Sequence, residues 1–195
     1  MIYCPPMDKH RPWALGLFIL SATTLNLVFN AFNRAFESPL YFDSLWTATM
    51  TAVFGLWPGL VTAVLTQAGM EVLVTWDGAP GTSMPFVFCS IATVVIVWAV
   101  VATGKFDRAE WVLITAIAVA LANSVIGSVV ATFVFGGFTG HASDYVTNGL
   151  VAAGQSLLES TFWTRVPLNL IDKGIAVFVA YALWSGGKNV KTPSV

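Results

Sequence analysis

Charge is what this sequence has least of. Only 10% of its 195 residues are Asp, Glu, Lys or Arg, against roughly a quarter in soluble domains. Nine basic residues face ten acidic ones, so no excess of positive charge offers a surface to nucleic acid. Two cysteines, Cys4 and Cys89, stand in unrelated contexts and read as buried or free thiols, with neither a disulfide framework nor thiolate metal spacing. The two histidines, His10 and His141, belong to no His-Glu-x-x-His sequence, and no serine sits in a Gly-x-Ser-x-Gly elbow. Glu71, Glu159 and Asp172 are not paired by spacing, which leaves little for an integral-membrane enzyme to work with. There is no Gly-x-x-x-x-Gly-Lys-Ser/Thr loop to bind ATP, so any active transport takes its energy from a partner or an ion gradient. No metal or other cofactor is implied.

Apolar residues make up 56% of the chain and fall in long runs. Six segments read as spans, at 13–36, 44–57, 60–76, 86–103, 111–135 and 166–184. The second is short for a hydrocarbon core of about 30 Å and has to tilt or begin in the preceding link. Turn formers separate the runs: Glu37–Asp43 with Pro39, Trp57–Gly59, Asp77–Pro85 and Gly104–Glu110. No small-residue cleavage site precedes the first run, so it is expected to be a retained span. The fourth span is almost uniformly apolar and is expected to be scaffold or lipid-facing. Ala142–Thr164 carries Asp144, Asn148, Gln155 and Glu159 among apolar residues and reads as one or two amphipathic helices at the surface. The expected fold is all-α and integral to the lipid bilayer, a single domain of six transmembrane helices.

Six spans place both termini on one side, with Lys9, Arg11, Lys105, Arg108, Lys188 and Lys191. The positive-inside rule makes that side cytoplasmic, in a plasma-membrane protein. Trp13, Trp57, Trp111 and Trp184 then fall at inner helix ends and Trp76 and Trp163 at outer ends, as an aromatic belt requires. Counted at about 1.5 Å per residue, Asn26, Gln67 and Asn123 lie near mid-membrane. Asn30, Asn33, Arg34, Glu71, Asn169, Asp172 and Lys173 lie in the outer half.

An ionisable side chain on a spanning helix costs about 2.5–3.5 kcal/mol on insertion scales and by default marks a site. Arg165, Asn169 and Lys173 recur at i, i+4 as one stripe on the last span, with Asp172 beside it. Gln67 and Glu71 share a face of the third span, and Asn26, Asn30 and Asn33 a face of the first. Each group has a second explanation. Asn26 and Gln67 suit interhelical hydrogen bonds, Lys173 an ion pair with Asp172 or Glu71, Arg34 and Arg165 interfacial anchoring, and Ala176 and Ala180 packing. Helix glue would be spread through the membrane, whereas an outward pocket collects polar groups in one layer. The one-sided depth favours a pocket. Its expected ligand contacts are Asn30, Asn33, Gln67, Glu71, Asn123, Glu159, Asn169 and Lys173, with Phe42, Trp46 and Trp163 near the rim for stacking.

At these residues the chain resembles the substrate-binding S-components of energy-coupling factor (ECF) vitamin transporters. Pro39–Leu73 is similar in its order of acidic link, short helix, aromatic-Pro-Gly turn and polar outgoing helix. Val166–Val177, VPLNLIDKGIAV, is similar to the Pro-x-Asn-x-x-x-Lys-Gly start of the last helix in several members. The six-span plan with both termini inside is the third likeness. The resemblance implies high-affinity capture of a vitamin-like small molecule, with a separate transmembrane coupling protein and cytoplasmic ATPase subunits as partners. It implies that Asn169 and Lys173 are the polar pair on the last helix, that Gln67 and Glu71 assist, and that the 37–43 link acts as a lid. One departure stands out: the first span reads WALGLFILSATT where the family carries Ala-x-x-x-Ala for docking, and its only such spacing is Ala31–Ala35.

Two functions are therefore open. One is the binding subunit of an uptake system. The other is a sensor domain that reports a ligand to a signalling partner, although the short tail after Trp184 offers no output domain. Riboflavin, thiamine, a purine-like base and an amino-acid-like ligand suit the polar residues equally well.

Overall fold

The structure is a computed structural model that describes residues 12–189 apart from 77, 79, 80 and 82. Cys4, Lys9, His10, Arg11 and Lys191, and with them the ends of the chain on which the termini-inside expectation rests, lie outside the described residues. Among the described residues seven α-helices follow one another: α1 (Pro12–Ala35), α2 (Leu45–Phe54), α3 (Leu56–Trp76), α4 (Val87–Ala102), α5 (Ala109–Phe135), α6 (Asp144–Ala152) and α7 (Leu157–Asn189). Short 3-10 turns at Met84–Phe86 and Lys105–Asp107 lead into α4 and α5. Among the described residues there is no strand. Of the helices among the described residues, five are long and apolar enough to cross a membrane: Trp13–Ala35, Leu56–Trp76, Met84–Ala102, Ala109–Phe135 and Leu157–Gly187.

Three features differ from the sequence reading. The segment 44–57 becomes the ten-residue α2, about 15 Å long at the helical rise and half of what a crossing needs. It is buried through Leu45, Thr47, Ala48, Thr49, Met50, Thr51 and Ala52, and it packs against α1, α3, α4 and α7. The break into α3 falls at Gly55, with φ 95°, ahead of the Trp57–Gly59 turn, which is helical. Of the expected surface helices only α6 forms separately. Leu157–Thr164 instead continues into α7, which runs 33 residues through Pro167. That proline removes one backbone donor and leaves the Trp163 carbonyl without its helical partner.

The sequence punctuates these elements. α5 ends where Gly136 and Gly137 take positive φ, 65° and 94°, and the Gly137 N–H closes on the Ala131 carbonyl at 2.7 Å. α7 begins with a reciprocal cap: the Ser156 hydroxyl and N–H both donate to Glu159 Oε2, and the Glu159 N–H donates back to Ser156 Oγ.

Along the bundle axis the interior divides in two. One half is apolar, built from Ala48, Val97, Phe106, Val112, Val119, Ala176, Val177, Ala180 and Trp184. Phe106 stands edge-on to Tyr181 and Trp184, with ring centroids 5.8 and 5.4 Å away. Trp184 is thus a core residue, not part of an aromatic belt, and Ala176 and Ala180 are packing residues. Trp13, Trp57, Trp76 and Trp163 are exposed, as belt residues are. The outer faces are apolar too: Leu17, Phe18, Leu20, Phe29 and Phe32 of α1 all point outward.

The other half is polar, and its amides link the helices in series. Asn26 of α1 donates to Thr47 of α2 at 3.0 Å and to Thr66 of α3 at 3.1 Å, while its carbonyl accepts the Trp46 N–H at 3.0 Å. That last bond satisfies a first-turn N–H of α2, which would otherwise be orphaned inside the bundle. Gln67 of α3 donates to Ser90 of α4 at 2.9 Å, and Asn123 of α5 to Thr93 of α4 at 3.0 Å. Asn169 of α7 donates to Ser124 of α5 at 3.0 Å. Lys173 closes the ring onto the start of α2 through Ser44, at 2.9 Å. α4 therefore carries two links of this belt and is more than a lipid-facing scaffold.

The α2–α3 contact is tight enough to test. A Cβ on Gly59 would stand 2.1 Å from Thr51 Oγ1 and 3.2 Å from Thr51 Cα. Gly59→Ala is expected to lower stability by about 1–3 kcal/mol through overpacking. Thermal denaturation of the purified variant in detergent checks this; an unchanged midpoint would contradict the close approach.

Candidate functional site

α1, α3 and α5 finish, and α4 and α7 begin, at the polar end of the bundle. Between them lies a cavity of about 660 Å³, within the range of small-molecule sites. Its α3 wall, Gln67, Met70 and Val74, runs from mid-helix to near the C-terminus. Asn123 comes from α5, Phe86 and Cys89 from the start of α4, and Asn30 and Arg34 from the end of α1. The α7 wall is the i, i+4 stripe itself: Arg165, Asn169 and Lys173. The rest comes from Asp144, Tyr145 and Asn148 of α6 and from non-helical chain, with Glu37, Ser38, Tyr41 and Asp43 from the 36–44 link and Phe138–Ala142 from the loop after α5.

Lys173 is the most buried cation here, 1% exposed. Its Nζ lies 2.6 Å from Asp43 Oδ1 and 2.7 Å from Asp172 Oδ2. The second contact is an ion pair without hydrogen-bond alignment, for Asp172 Oδ2 has no hydrogen-bond partner. Asp172 Oδ1 accepts the Phe42 N–H at 2.9 Å. One lysine thus compensates two carboxylates, one from its own helix and one from the link.

The link is tied down at several points. Asn30 donates to the Tyr41 carbonyl at 3.3 Å, and Asn33 donates to the Leu40 carbonyl. Glu37 and Phe42 both adopt positive φ, 49° and 46°, an uncommon backbone for residues other than glycine. Tyr41 sits at the centre. Its hydroxyl accepts from Arg165 Nη1 at 3.1 Å and donates to Ser143 Oγ at 3.5 Å, and its ring stacks on His141 with centroids 4.8 Å apart.

Of the residues expected from the sequence, Asn30, Gln67, Asn123, Asn169 and Lys173 meet on the cavity wall. Three do not. Asn33 is buried against the link. Glu71 turns to the loop before α4, where its Oε2 accepts the N–H groups of Ser83 and Met84 at 2.7 and 3.0 Å. Glu159 is exposed and spent on the α7 cap. The expected aromatics Phe42, Trp46 and Trp163 are likewise off the wall, and Tyr41, Phe86, Phe138 and Tyr145 stand there instead. The sequence left Arg165 open between interfacial anchoring and the i, i+4 stripe with Asn169 and Lys173, and the structure puts it on the wall; Tyr41, Asp43 and His141 were not expected there. Among the described residues no cluster of His, Cys, Asp and Glu could hold a metal ion.

Comparison with protein-family models, with curated proteins and with solved structures finds no match to this chain.

Two outcomes follow from the charges. Replacing Lys173 with Met leaves Asp43 and Asp172 buried without their cation, a loss of about 3–5 kcal/mol. Lys173→Met is expected to melt far below wild type, and Asp43→Asn with Asp172→Asn in the same chain to restore most of the difference. Burial, then the Arg165 guanidinium, push the His141 imidazole below its ordinary value against the weaker pull of Asp144 and Asp43. The unfolded chain therefore takes up that proton first, and the fold loses stability as the pH drops below about 6.5. Melting wild type and His141→Asn between about pH 7.5 and 5 checks the sign: part of the acid loss should vanish in the variant.

Proposed function

We propose that this chain is a membrane-embedded capture subunit that binds a vitamin-like small molecule from outside the cell and hands it to a separate, ATP-hydrolysing uptake module. The observation that carries the reading is the cavity of about 660 Å³ at the polar end of the bundle, where amides from α3, α5 and α7 and the Lys173 cluster converge. Scaffold alone has no need of such a space. The amides that line it are already held by Ser90, Thr93 and Ser124 on neighbouring helices, so their remaining polar atoms are pre-oriented for a ligand. The 36–44 link borders the cavity through Tyr41 and Asp43, which suits a lid tethered at Asn30, Asn33 and Asp172.

The resemblance of Val166–Val177 and Pro39–Leu73 to ECF S-components supports the same reading. In it the Tyr41 end of the bundle faces outward, the termini are cytoplasmic, the setting is the plasma membrane, and α2 with its link counts as the sixth span. The absence of Ala-x-x-x-Ala from the inner part of α1 implies that the coupling protein is engaged through another surface.

The test is direct. Protein purified in mild detergent is analysed for retained small molecules by mass spectrometry and titrated with a panel of vitamins and nucleobases. Binding by wild type, weakened about tenfold or more in Asn169→Ala through loss of one or two hydrogen bonds, is the expected result. No retained compound and no binding across the panel would remove the proposal. Co-purifying ATPase subunits identify uptake; a co-purifying kinase would assign the same cavity to sensing.

A further inference from the structure

We infer that the ligand carries a carboxylate and that Arg165 is the residue that holds it; this rests on the ligand-binding reading above and narrows it. Arg165 is only 6% exposed, yet its side chain lies on the cavity wall. One of its N–H groups donates to Tyr41 Oη at 3.1 Å. Among the described residues it has no other hydrogen-bond acceptor, and no carboxylate lies within ion-pair distance of it. A buried cation without a counter-ion costs several kcal/mol in an apolar medium, unless something else supplies the charge.

The carboxylates around the cavity are committed elsewhere, except Glu37, which is exposed to solvent and outside ion-pair distance of Arg165. Asp43 and Asp172 are held by Lys173. Asp144 accepts the N–H groups of Thr139 and Gly140 at 2.7 and 2.8 Å. The fold also keeps room for the guanidinium. Gly127 of α5 faces it, and a Cβ there would come within 3.4 Å of Nη1. The rings of Phe86 and Tyr41 flank it, with centroids 5.2 and 5.5 Å from Cζ. Aromatic walls shield the faces of a guanidinium and leave its N–H edge as the open approach. That edge is planar, forked and singly charged, which matches a carboxylate. A phosphate monoester carries about 1.5–2 negative charges at neutral pH, more than the one buried guanidinium answers; the other arginine on the wall, Arg34, is exposed to solvent. Of the ligand classes that the sequence leaves open, a thiamine-like cation would be repelled, and riboflavin or a purine base would leave the charge unanswered. An amino-acid-like or other carboxylic ligand answers it.

The experiment reads the thermal midpoint of the detergent-purified full chain in four extracts of cells: the untreated aqueous extract, the same extract treated with phosphatase, the same extract with its carboxylates converted to amides, and a chloroform extract of lipids. The expected result is a rise in the untreated and phosphatase-treated extracts, and none in the amidated or lipid extracts. Arg165→Gln should need on the order of tenfold more untreated extract for the same rise, the loss of one charge-assisted pair. Arg165→Lys should fall between, because it keeps the charge and loses the fork. Should Arg165→Gln fail to fold, the amidated extract still decides on wild type alone. A rise that survives amidation, that is lost with phosphatase, that persists undiminished in Arg165→Gln or that comes only from lipids overturns the carboxylate assignment and leaves ligand binding standing. No rise in any extract overturns both.

Discussion

A polar side chain buried between apolar helices has to find its partner on another helix, because hydrocarbon offers none. That requirement sets the register of this bundle. Asn26 joins α1 to α2 and α3, Gln67 joins α3 to α4, Asn123 joins α5 to α4, Asn169 joins α7 to α5, and Lys173 returns to the start of α2. Each bond is modest, on average about 0.6 kcal/mol where such bonds have been measured in membranes. Their value lies in the alternative. Sliding any one helix by a turn would strand at least two of these groups, whereas the small residues of the apolar half, such as Ala48, Ala176 and Ala180, would tolerate the slip far better. The belt specifies the arrangement and the apolar half supplies the bulk of the burial.

The same side chains serve the cavity, and this shapes how the site can change. Gln67, Asn123 and Asn169 each spend one donor on a neighbouring helix; Asn123 gives its second to the Val119 carbonyl of its own helix, and all three line the space between. Replacing one of them perturbs scaffold and site together. Arg165, Phe86 and Tyr145 are not links in the belt, so the cavity can be altered through them with less effect on the bundle. Lys173 stands between the two groups: it anchors the 36–44 link as well as compensating charge.

The outline of this was legible in the residues. Long apolar runs gave the long helices, and the i, i+4 stripe of Arg165, Asn169 and Lys173 became one cavity wall, because a helix presents that spacing on one face whatever surrounds it. What was not legible depended on tertiary partners. Asn26 and Gln67 could not be assigned as helix links until Thr47, Thr66 and Ser90 were seen beside them, and Gln67 also lines the cavity. Lys173 pairs with Asp172 and with Asp43, a residue 130 positions away that no local pattern connects to it. Glu159 is different, since Ser156-x-x-Glu159 is a capping box written in the sequence and could have been read as a helix start. Reading Ala142–Thr164 as one or two amphipathic surface helices left that start unmarked. The expected tryptophan belt fails at Trp184, where a neighbouring Phe106 from the α4–α5 connection covers the ring.

The half-length of α2 accounts for the existence of the cavity. A full crossing would fill its slot in the bundle with helix from end to end, but α2 has ten residues, and the slot beyond its buried N-terminus holds the 36–44 link instead. The missing portion is a cylinder about 10 Å wide and about 15 Å long, roughly 1,200 Å³, and irregular chain fills such a cylinder incompletely. The cavity of about 660 Å³ is of the size such incomplete filling leaves. Its capacity is then a property of the non-helical chain. Residues added to or removed from this link change the volume of the cavity while the helices around it keep their places, so that the space inside a single scaffold can be retuned by the length of one loop.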